Sequence, residues 1–463
     1  MEYTNEPIEK VILVGTDSYE ALDELRELAE TAGAETVATM VQHIDTPSVS
    51  TYLGSGKLEE LAAVIESTEA TGIICDDELT PIQMSNLERI LDTKVMDRTM
   101  LILDIFAQHA VTSEGKIQVE LAQLQYRLTR LTGKGRSMSR LGGGIGTRGP
   151  GEKKLEQDRR VIRTRVSQLK RELAEVVNHR DLTRKRRGEN PIPVFAIVGY
   201  TNVGKSTLLN RLTGSDVLAE NKLFATLDTT TRSIKLEGKK QALLTDTVGF
   251  IRKLPHNLVD AFRSTLEEAK YADYIIHVVD SSSENAEDDM RVVYETLDML
   301  GIEGKKILTV FNKIDKLNSK PVSNAWETSE SKSNAWETSD SKSNTWESSE
   351  SNTWETSDSK SNAWETNEQE SSGDVETHIR DARAYMTVRI SAKTGEGIEE
   401  LIKSLSEMIG QDRKYLKKLF SYSEMSDVAE IRNSGSVITE DFREDGIYIE
   451  AEVPLRIYSK YNK

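Results

Sequence analysis

Gly199, Tyr200, Thr201, Asn202, Val203, Gly204, Lys205 and Ser206 spell G-x-x-x-x-G-K-S directly after the apolar stretch PVFAIV and before a helical pattern of Leu208, Leu209 and Leu212. Glycines in such a loop let backbone N–H groups curl around phosphate oxygens, a lysine neutralises the β and γ phosphates, and a serine hydroxyl ligates Mg²⁺. That spacing alone specifies a nucleoside triphosphate and no particular base. Asp246, Thr247, Val248 and Gly249 follow a second strand-like run, ALLT. There a carboxylate can hold Mg²⁺ through water and a glycine amide can reach the γ phosphate. Asn312, Lys313, Ile314 and Asp315 follow KILTVF, and the carboxylate of an N-K-x-D element accepts guanine N1–H and the 2-amino group together, a pair of donors that adenine lacks. Ser391, Ala392 and Lys393, again after a strand-like run, match the backbone clamp on guanine O6. Four elements in this order, each at the end of a strand, read as a GTP site.

A switch segment lies between the first helix and the strand-like SIKL: Leu223, Phe224, Ala225, Thr226, Leu227, Asp228, Thr229, Thr230, Thr231 and Arg232. Any of its four threonines can cap Mg²⁺. The residue after Gly249 is Phe250, which cannot hydrogen-bond an attacking water, so intrinsic hydrolysis should be slow and completed by a partner.

These loops need a scaffold, and PVFAIVGY, ALLTDTVGF, YIIHVVD, KILTVFNK and MTVRISAK alternate with helix and loop signals as in a doubly wound, largely parallel α/β sheet over 191–410. Residues 1–109 alternate in the same way and predict a smaller α/β domain. Over 110–190, Leu121, Leu124, Leu128 and Leu131, then Leu155, Ile162, Val166, Leu169, Leu173 and Val176, recur at helical spacing on either side of LGGGIGTRGPG at 141–151. They predict a helical hairpin with a glycine-rich tip. The last segment, 411–463, reads as a small α+β domain.

The chain carries net charge −17, yet residues 126–188 hold 19 Lys and Arg against 6 Asp and Glu. That asymmetry is the footprint of a nucleic-acid contact inside an acidic protein. Arg127, Arg130, Lys134, Arg136, Arg140 and Arg148 surround the tip, and aromatic residues are scarce, so phosphate and shape contacts are expected rather than base stacking. The bland alternative is a solvated coiled-coil surface. Five copies of a unit close to S-N-[AT]-W-E-[TS] carry all five tryptophans, Trp326, Trp336, Trp346, Trp354 and Trp364. One apolar side chain per unit is too little to offset ordering entropy, which predicts disorder over 317–373 in preference to a solenoid.

Gly54-Ser55-Gly56-Lys57 lacks the full phosphate-loop spacing and reads as a helix start. Cys75 is read as a buried small hydrophobe and His277 as a core residue; the six histidines show no metal-ligand pairing. The absence of a signal-peptide pattern and of long apolar runs leads us to expect a cytoplasmic protein with, at most, partial membrane association and no stable membrane anchor.

Taken together, G-Y-T-N-V-G-K-S-T, FATLD, DTVGFI followed by LPHNLVDAFRSTLEE, NKID, and RLGGGIGTRGPGE between two basic helices resemble the HflX family of translational GTPases over almost the whole chain. The resemblance implies that Thr226 is the second Mg²⁺ ligand beside Ser206, and that Phe224, Ala225, Thr226, Leu227 and Asp228 line the nucleotide. It assigns catalysis to Lys205, Thr226 and Gly249. It also implies GTP as substrate with Mg²⁺, and a large (50S) ribosomal subunit as partner, its RNA reached through the hairpin, with no DNA and a monomeric chain. Family members are thought to split stalled ribosomes, and some accept ATP. Thr229 stands where the family usually has proline, and the tryptophan repeat is not a family feature. A different class stays open: an RNA-binding assembly or sequestering factor for which GTP is only a conformational switch.

Overall fold

The computed structural model describes residues 8–44, 46–138, 150–187, 192–214, 223–224, 229–236, 241–253, 268–317, 379–411 and 413–462. Residues 141–149 of the glycine-rich tip, residues 225–228 and the tryptophan repeat lie outside these, whereas Pro150 and Gly151, read as loop, begin a helix.

Strands β1 (Lys10–Gly15), β2 (Glu35–Val41), β3 (Gly72–Cys75) and β4 (Lys94–Asp97) form a parallel sheet in the order β2-β1-β3-β4. Its central strands are apolar and buried at every position after Lys10 because helices cover both faces. Val11 and Leu13 pack with Leu22, Leu25 and Leu28 of α1 (Ala21–Thr31). Ile12 and Val14 face Leu58 and Leu61 of α2 (Ser55–Thr68) and Leu87 of α3 (Pro81–Leu91). Helix α2 begins directly after Gly54, whose N–H donates to Gln42, and Lys57 pairs with Glu60, as a helix start and unlike a phosphate loop. Thr80 and Gln83 close a capping box on α3, and α4 (Arg98–His109) is capped by Asp97. Cys75 is fully buried.

Helices α5 (Ser113–Met138) and α6 (Pro150–Arg187) make the hairpin. Arg165 pairs with Glu120 at 2.7 Å, and Arg159 donates to the Leu131 carbonyl. These two contacts fix an antiparallel register. Both helices run beyond the apolar stripes that announce them.

The second sheet holds β5 (Val194–Gly199), β6 (Thr230–Lys235), β7 (Gln241–Asp246), β8 (Tyr274–Asp280), β9 (Ile307–Asn312) and β10 (Met386–Arg389) in the order β10-β9-β8-β5-β7-β6. All neighbours are parallel except β6, which runs antiparallel to β7 at the edge. Strand β5 lies between β7 and β8, so connections diverge at its C-terminal end, the place where open α/β sheets bind ligands. Helix α7 (Lys205–Thr213) leaves that end. His277 on β8 is buried as expected, its Nδ1 3.8 Å from Asp381.

The C-terminal unit is an antiparallel sheet, β11-β13-β12, of β11 (Arg413–Phe420), β12 (Ser436–Arg443) and β13 (Gly446–Pro454). Leu416, Phe420, Ile447 and Ile449 pack against Val428 and Ile431 of helix Met425–Ser434. Among the described residues no helix is long and apolar enough to cross a membrane.

Candidate nucleotide site

The eight loop residues join β5 to α7. Gly204 is left-handed (φ 98°), and a Cβ there would come within 2.5 Å of the Asn312 amide nitrogen. Glycine is therefore required both for the turn and for that approach. Asn312, at the end of β9, uses both ends of its amide: Nδ2 donates to the Val203 carbonyl at 2.7 Å, and Oδ1 accepts the Ala392 N–H at 2.9 Å. One side chain thus locks the loop at 199–206 to the loop at 391–393. The Lys313 ammonium donates to the Asn202 carbonyl at 2.7 Å and pairs with Asp280 at 2.7 Å. Ser391 Oγ donates to Asp315 Oδ1 at 2.7 Å and accepts the Thr394 N–H. The Asp315 carboxylate is held by a hydroxyl at the loop where a base edge is expected, and Ile314 starts the short helix that carries it. Lys393 is exposed.

On the phosphate side, Ser206 Oγ donates to Asp246 Oδ2 at 2.7 Å. Asp246 is fully buried at the C-terminal end of β7, in register with Ile197 of β5. The Lys205 ammonium is buried and donates to the Tyr200 carbonyl at 2.7 Å and the Gly199 carbonyl at 3.2 Å. Burial lowers its pKa to about 8, against the opposing pull of Asp246. Thr247 donates to the Ile197 carbonyl. Val248 and Phe250 are buried, so Phe250 is a packing residue facing away from water. The Gly249 Cα lies against the phosphate loop: a Cβ would meet Thr201 Cγ2 at 2.8 Å and Lys205 Nζ at 2.9 Å. Backbone bonds from Phe250 N to the Gly199 carbonyl (3.1 Å) and from Thr201 N to the Phe250 carbonyl (2.8 Å) zip the two segments together.

Of the sequence-assigned residues, the structure brings together those of the phosphate loop, Asp246 to Gly249, Asn312 to Asp315 and Ser391 to Lys393. Phe224 is buried and stacks edge-on against Phe106 of α4, with centroids 4.7 Å apart, so its ring meets the first domain. Ala225, Thr226, Leu227 and Asp228 lie outside the described residues.

Sequence reasoning missed the wall opposite. Arg98, Asp76 and Glu24 of the first domain reach Arg252, Lys253 and Tyr200, and a cleft of about 550 Å³ opens between the two domains beside Thr201 and Lys313. No local motif marks these residues. Their only signal was an arginine following the buried VMD strand.

A family model described as GTP-binding GTPase N-terminal matches residues 19–107, one described as GTP-binding GTPase Middle Region matches 109–187, and one described as 50S ribosome-binding GTPase matches 194–313. GTPase HflX of Lacrimispora saccharolytica is 50% identical over 457 residues, 97% of this chain and 95% of that protein. GTPase HflX of Caldanaerobacter subterraneus is 43% identical over 446 residues, covering 96% and 90%. Among solved structures, a GTP-binding protein from Sulfolobus solfataricus in complex with GDP is similar at 24% identity over 87% of this chain and 99% of that one, with a TM-score of 0.42. With a doubly wound sheet, family models matching its successive regions and relatives this similar along almost its full length, the chain belongs to the HflX family of GTPases, enzymes that bind and hydrolyse GTP.

Proposed function

We propose that this GTPase acts on the large ribosomal subunit, reaching ribosomal RNA through the basic hairpin at 126–188, and that the subunit completes a hydrolytic site that is slow by itself. The buried side chain of Phe250 carries the second half of this reading. The position that follows the catalytic glycine offers no hydrogen bond to water, so alignment of the nucleophile must come from outside. The name of the matching family, a 50S ribosome-binding GTPase, together with the charge excess of 126–188, supports the first half. Exposed Arg127, Arg160, Arg163, Lys170 and Arg171 line the described part of the hairpin. Backbone phosphates are the natural acceptors for such side chains.

In the proposed site the amides of 200–206 cradle the phosphates and Lys205 neutralises the β and γ oxygens. The Gly249 amide meets the γ phosphate, and Asp315 reads the guanine edge while Ala392 and its neighbours face O6. The Ser206 hydroxyl and the Asp246 carboxylate, 2.7 Å apart, are hard oxygen donors of the type Mg²⁺ takes, one directly and one through water. Thr226 is the proposed second direct ligand. Mg²⁺ bound there supplies charge neutralisation for the phosphates. In this reading the chain works on the subunit as a monomer in the cytoplasm, without a DNA contact.

The test is phosphate release from GTP and ATP with and without large subunits. Stimulation by at least about tenfold, abolished in Lys205→Ala, is expected. Subunit binding with unchanged turnover would instead favour an assembly or sequestering factor, and equal rates with no binding would remove the ribosomal assignment.

A further inference from the structure

Asp97 and Arg98 are consecutive, buried at 0% and 2% exposure, and grip different parts of the molecule. Asp97 caps α4 through Met100 N at 2.9 Å and accepts Leu79 N at 3.1 Å. It also receives the Tyr126 hydroxyl at 2.7 Å and the Arg130 guanidinium, both from the first hairpin helix. Arg98 turns the other way. It pairs with Asp76 at 2.8 Å and with Glu24, and donates to the Arg252 carbonyl at 3.2 Å. Beside it Lys253 reaches Asp76 at 2.6 Å and Asp77 at 2.9 Å. The Tyr200 hydroxyl of the phosphate loop accepts Arg252 N at 2.9 Å and donates to Glu24.

Segment 250–253 is thereby tied on one side to the phosphate loop and on the other to the first domain, with Gly249 pressed on Lys205 and Thr201. A third phosphate entering beside Lys205 would come against Gly249 and press on the residues after it. Asp17, Glu20, Asp23, Glu24 and Glu27 line the first domain's side of the adjoining cleft. Burial raises the Glu27 pKa, and the neighbouring Glu24 and Glu30 add to it against the pull of Lys313. Incoming phosphate charge is unfavourable against that wall, whereas separating the domains relieves it.

We propose that Asp97–Arg98 is a joint linking the hairpin to the nucleotide site: Arg98 and Lys253 are positioning residues that hold 249–253 down, and a bound triphosphate works against that hold. By linkage, whatever the hold takes from triphosphate affinity, the triphosphate takes from the docking of the first domain. A hairpin displaced by its partner would act on the same equilibrium through Tyr126, Arg130 and Asp97. This last step rests on the hairpin being the ribosome-binding element, whereas the hold itself does not.

The experiment measures affinities of the full chain for GDP and for a non-hydrolysable GTP analogue, whose ratio a merely structural role would leave alone. Lys253→Gln keeps Asp76 with Arg98 and Asp77 with Tyr52, and should shift the ratio toward the triphosphate by at least about threefold, with Lys253→Arg restoring it. Arg98→Lys retains a cation where Arg98→Ala could fail to fold, and should shift the ratio in the same direction. A ratio unchanged in both Lys253→Gln and Arg98→Lys overturns the hold. For the hairpin link, Tyr126→Phe should keep co-sedimentation with large subunits but lose at least about threefold of their stimulation; full stimulation overturns the link. If the unaltered chain does not co-sediment, the hairpin reading and the link fall together, while the affinity ratio still decides the hold.

Discussion

Gly249→Ala isolates the third phosphate from the rest of the nucleotide. The added methyl would lie 2.8 Å from Thr201 Cγ2, 2.9 Å from Lys205 Nζ and 2.9 Å from the Thr201 Cα. Carbon contacts settle near 3.5–4.0 Å, so the backbone must separate by roughly 0.7–1 Å, because the Thr201 Cα cannot swing aside as a side chain can. The two zipping bonds, at 3.1 and 2.8 Å, would be stretched or lost, at about 0.5–1.5 kcal/mol each. More consequentially, the methyl points at the ammonium that is to meet the γ phosphate, and displaces the amide proposed to meet it as well. A misplacement near 1 Å can cost about 10²-fold in rate. The α and β phosphates are proposed to rest on the backbone amides of residues 202–206, and none of these is among the three atoms the methyl meets first, Thr201 Cγ2, Lys205 Nζ and Thr201 Cα. The expectation is GDP affinity within about threefold of the unaltered chain and single-turnover hydrolysis of GTP slowed about 100-fold. Equilibrium binding of labelled GDP and rapid-quench measurement of phosphate release would read both. Hydrolysis within twofold of the unaltered rate would refute the placement of Gly249 against the γ phosphate.

Three other outcomes follow from the same geometry. Asn312→Ala leaves the Val203 carbonyl and the Ala392 N–H without their partner, which should destabilise the chain by about 2–4 kcal/mol in denaturant unfolding and weaken GDP binding; an unfolding midpoint at the original value would count against the lock. Asp315→Ala should reduce the preference for GTP over ATP, read as the ratio of their inhibition constants against labelled GDP, and an unchanged ratio would dismiss Asp315 as the guanine reader. Asp381 accepts Tyr294 and Thr309 hydroxyls at 2.6 and 2.5 Å. Burial raises its pKa, but His277 and these donors outweigh burial and hold it below the ordinary carboxylate value. A depressed folded pKa stabilises above the unfolded value of about 3.9 and ceases to do so as pH falls through that value toward the folded one. Asp381→Asn should therefore lower the melting temperature at pH 7 and flatten its decline below about pH 4; an unaltered acid profile would contradict the assignment.

The nucleotide site was legible because each of its loops combines a fixed spacing with an apolar strand before it, and the strand's burial is itself a sequence pattern. The hairpin was legible through its leucine rhythm, although its helices outrun the stripes that announce them. Strand β11, RKYLKKLF, went unread because its cations hide the alternation: only Leu416 and Phe420 are fully buried, too few to mark a period of two. The joint at Asp97–Arg98 could not be read at all. Its partners come from Glu24, Asp76, Tyr126, Arg130 and Arg252, separated by up to 154 residues from Arg98, and every one of those residue types is ordinary on a surface. Only the fold shows that Asp97 and Arg98 are buried.

That difference follows from the physics of the two kinds of site. A phosphate loop is built from backbone amides, so its requirements fall on consecutive residues. An interdomain ionic contact is built from side-chain ends, each able to come from anywhere in the chain. Buried ion pairs also add little net stability compared with apolar packing. Their presence here, beside an apolar contact as favourable as Phe106 on Phe224, therefore calls for a reason other than adhesion. Ionic contacts are directional, and removing one partner is costly, so they favour one docked geometry sharply over its neighbours. A contact that must give way to a highly charged ligand gains from having that character. If Lys253→Gln left both the nucleotide preference and the docking of the first domain unaltered, the network would be only a costly way of closing an interface, and the reason offered for it would be wrong.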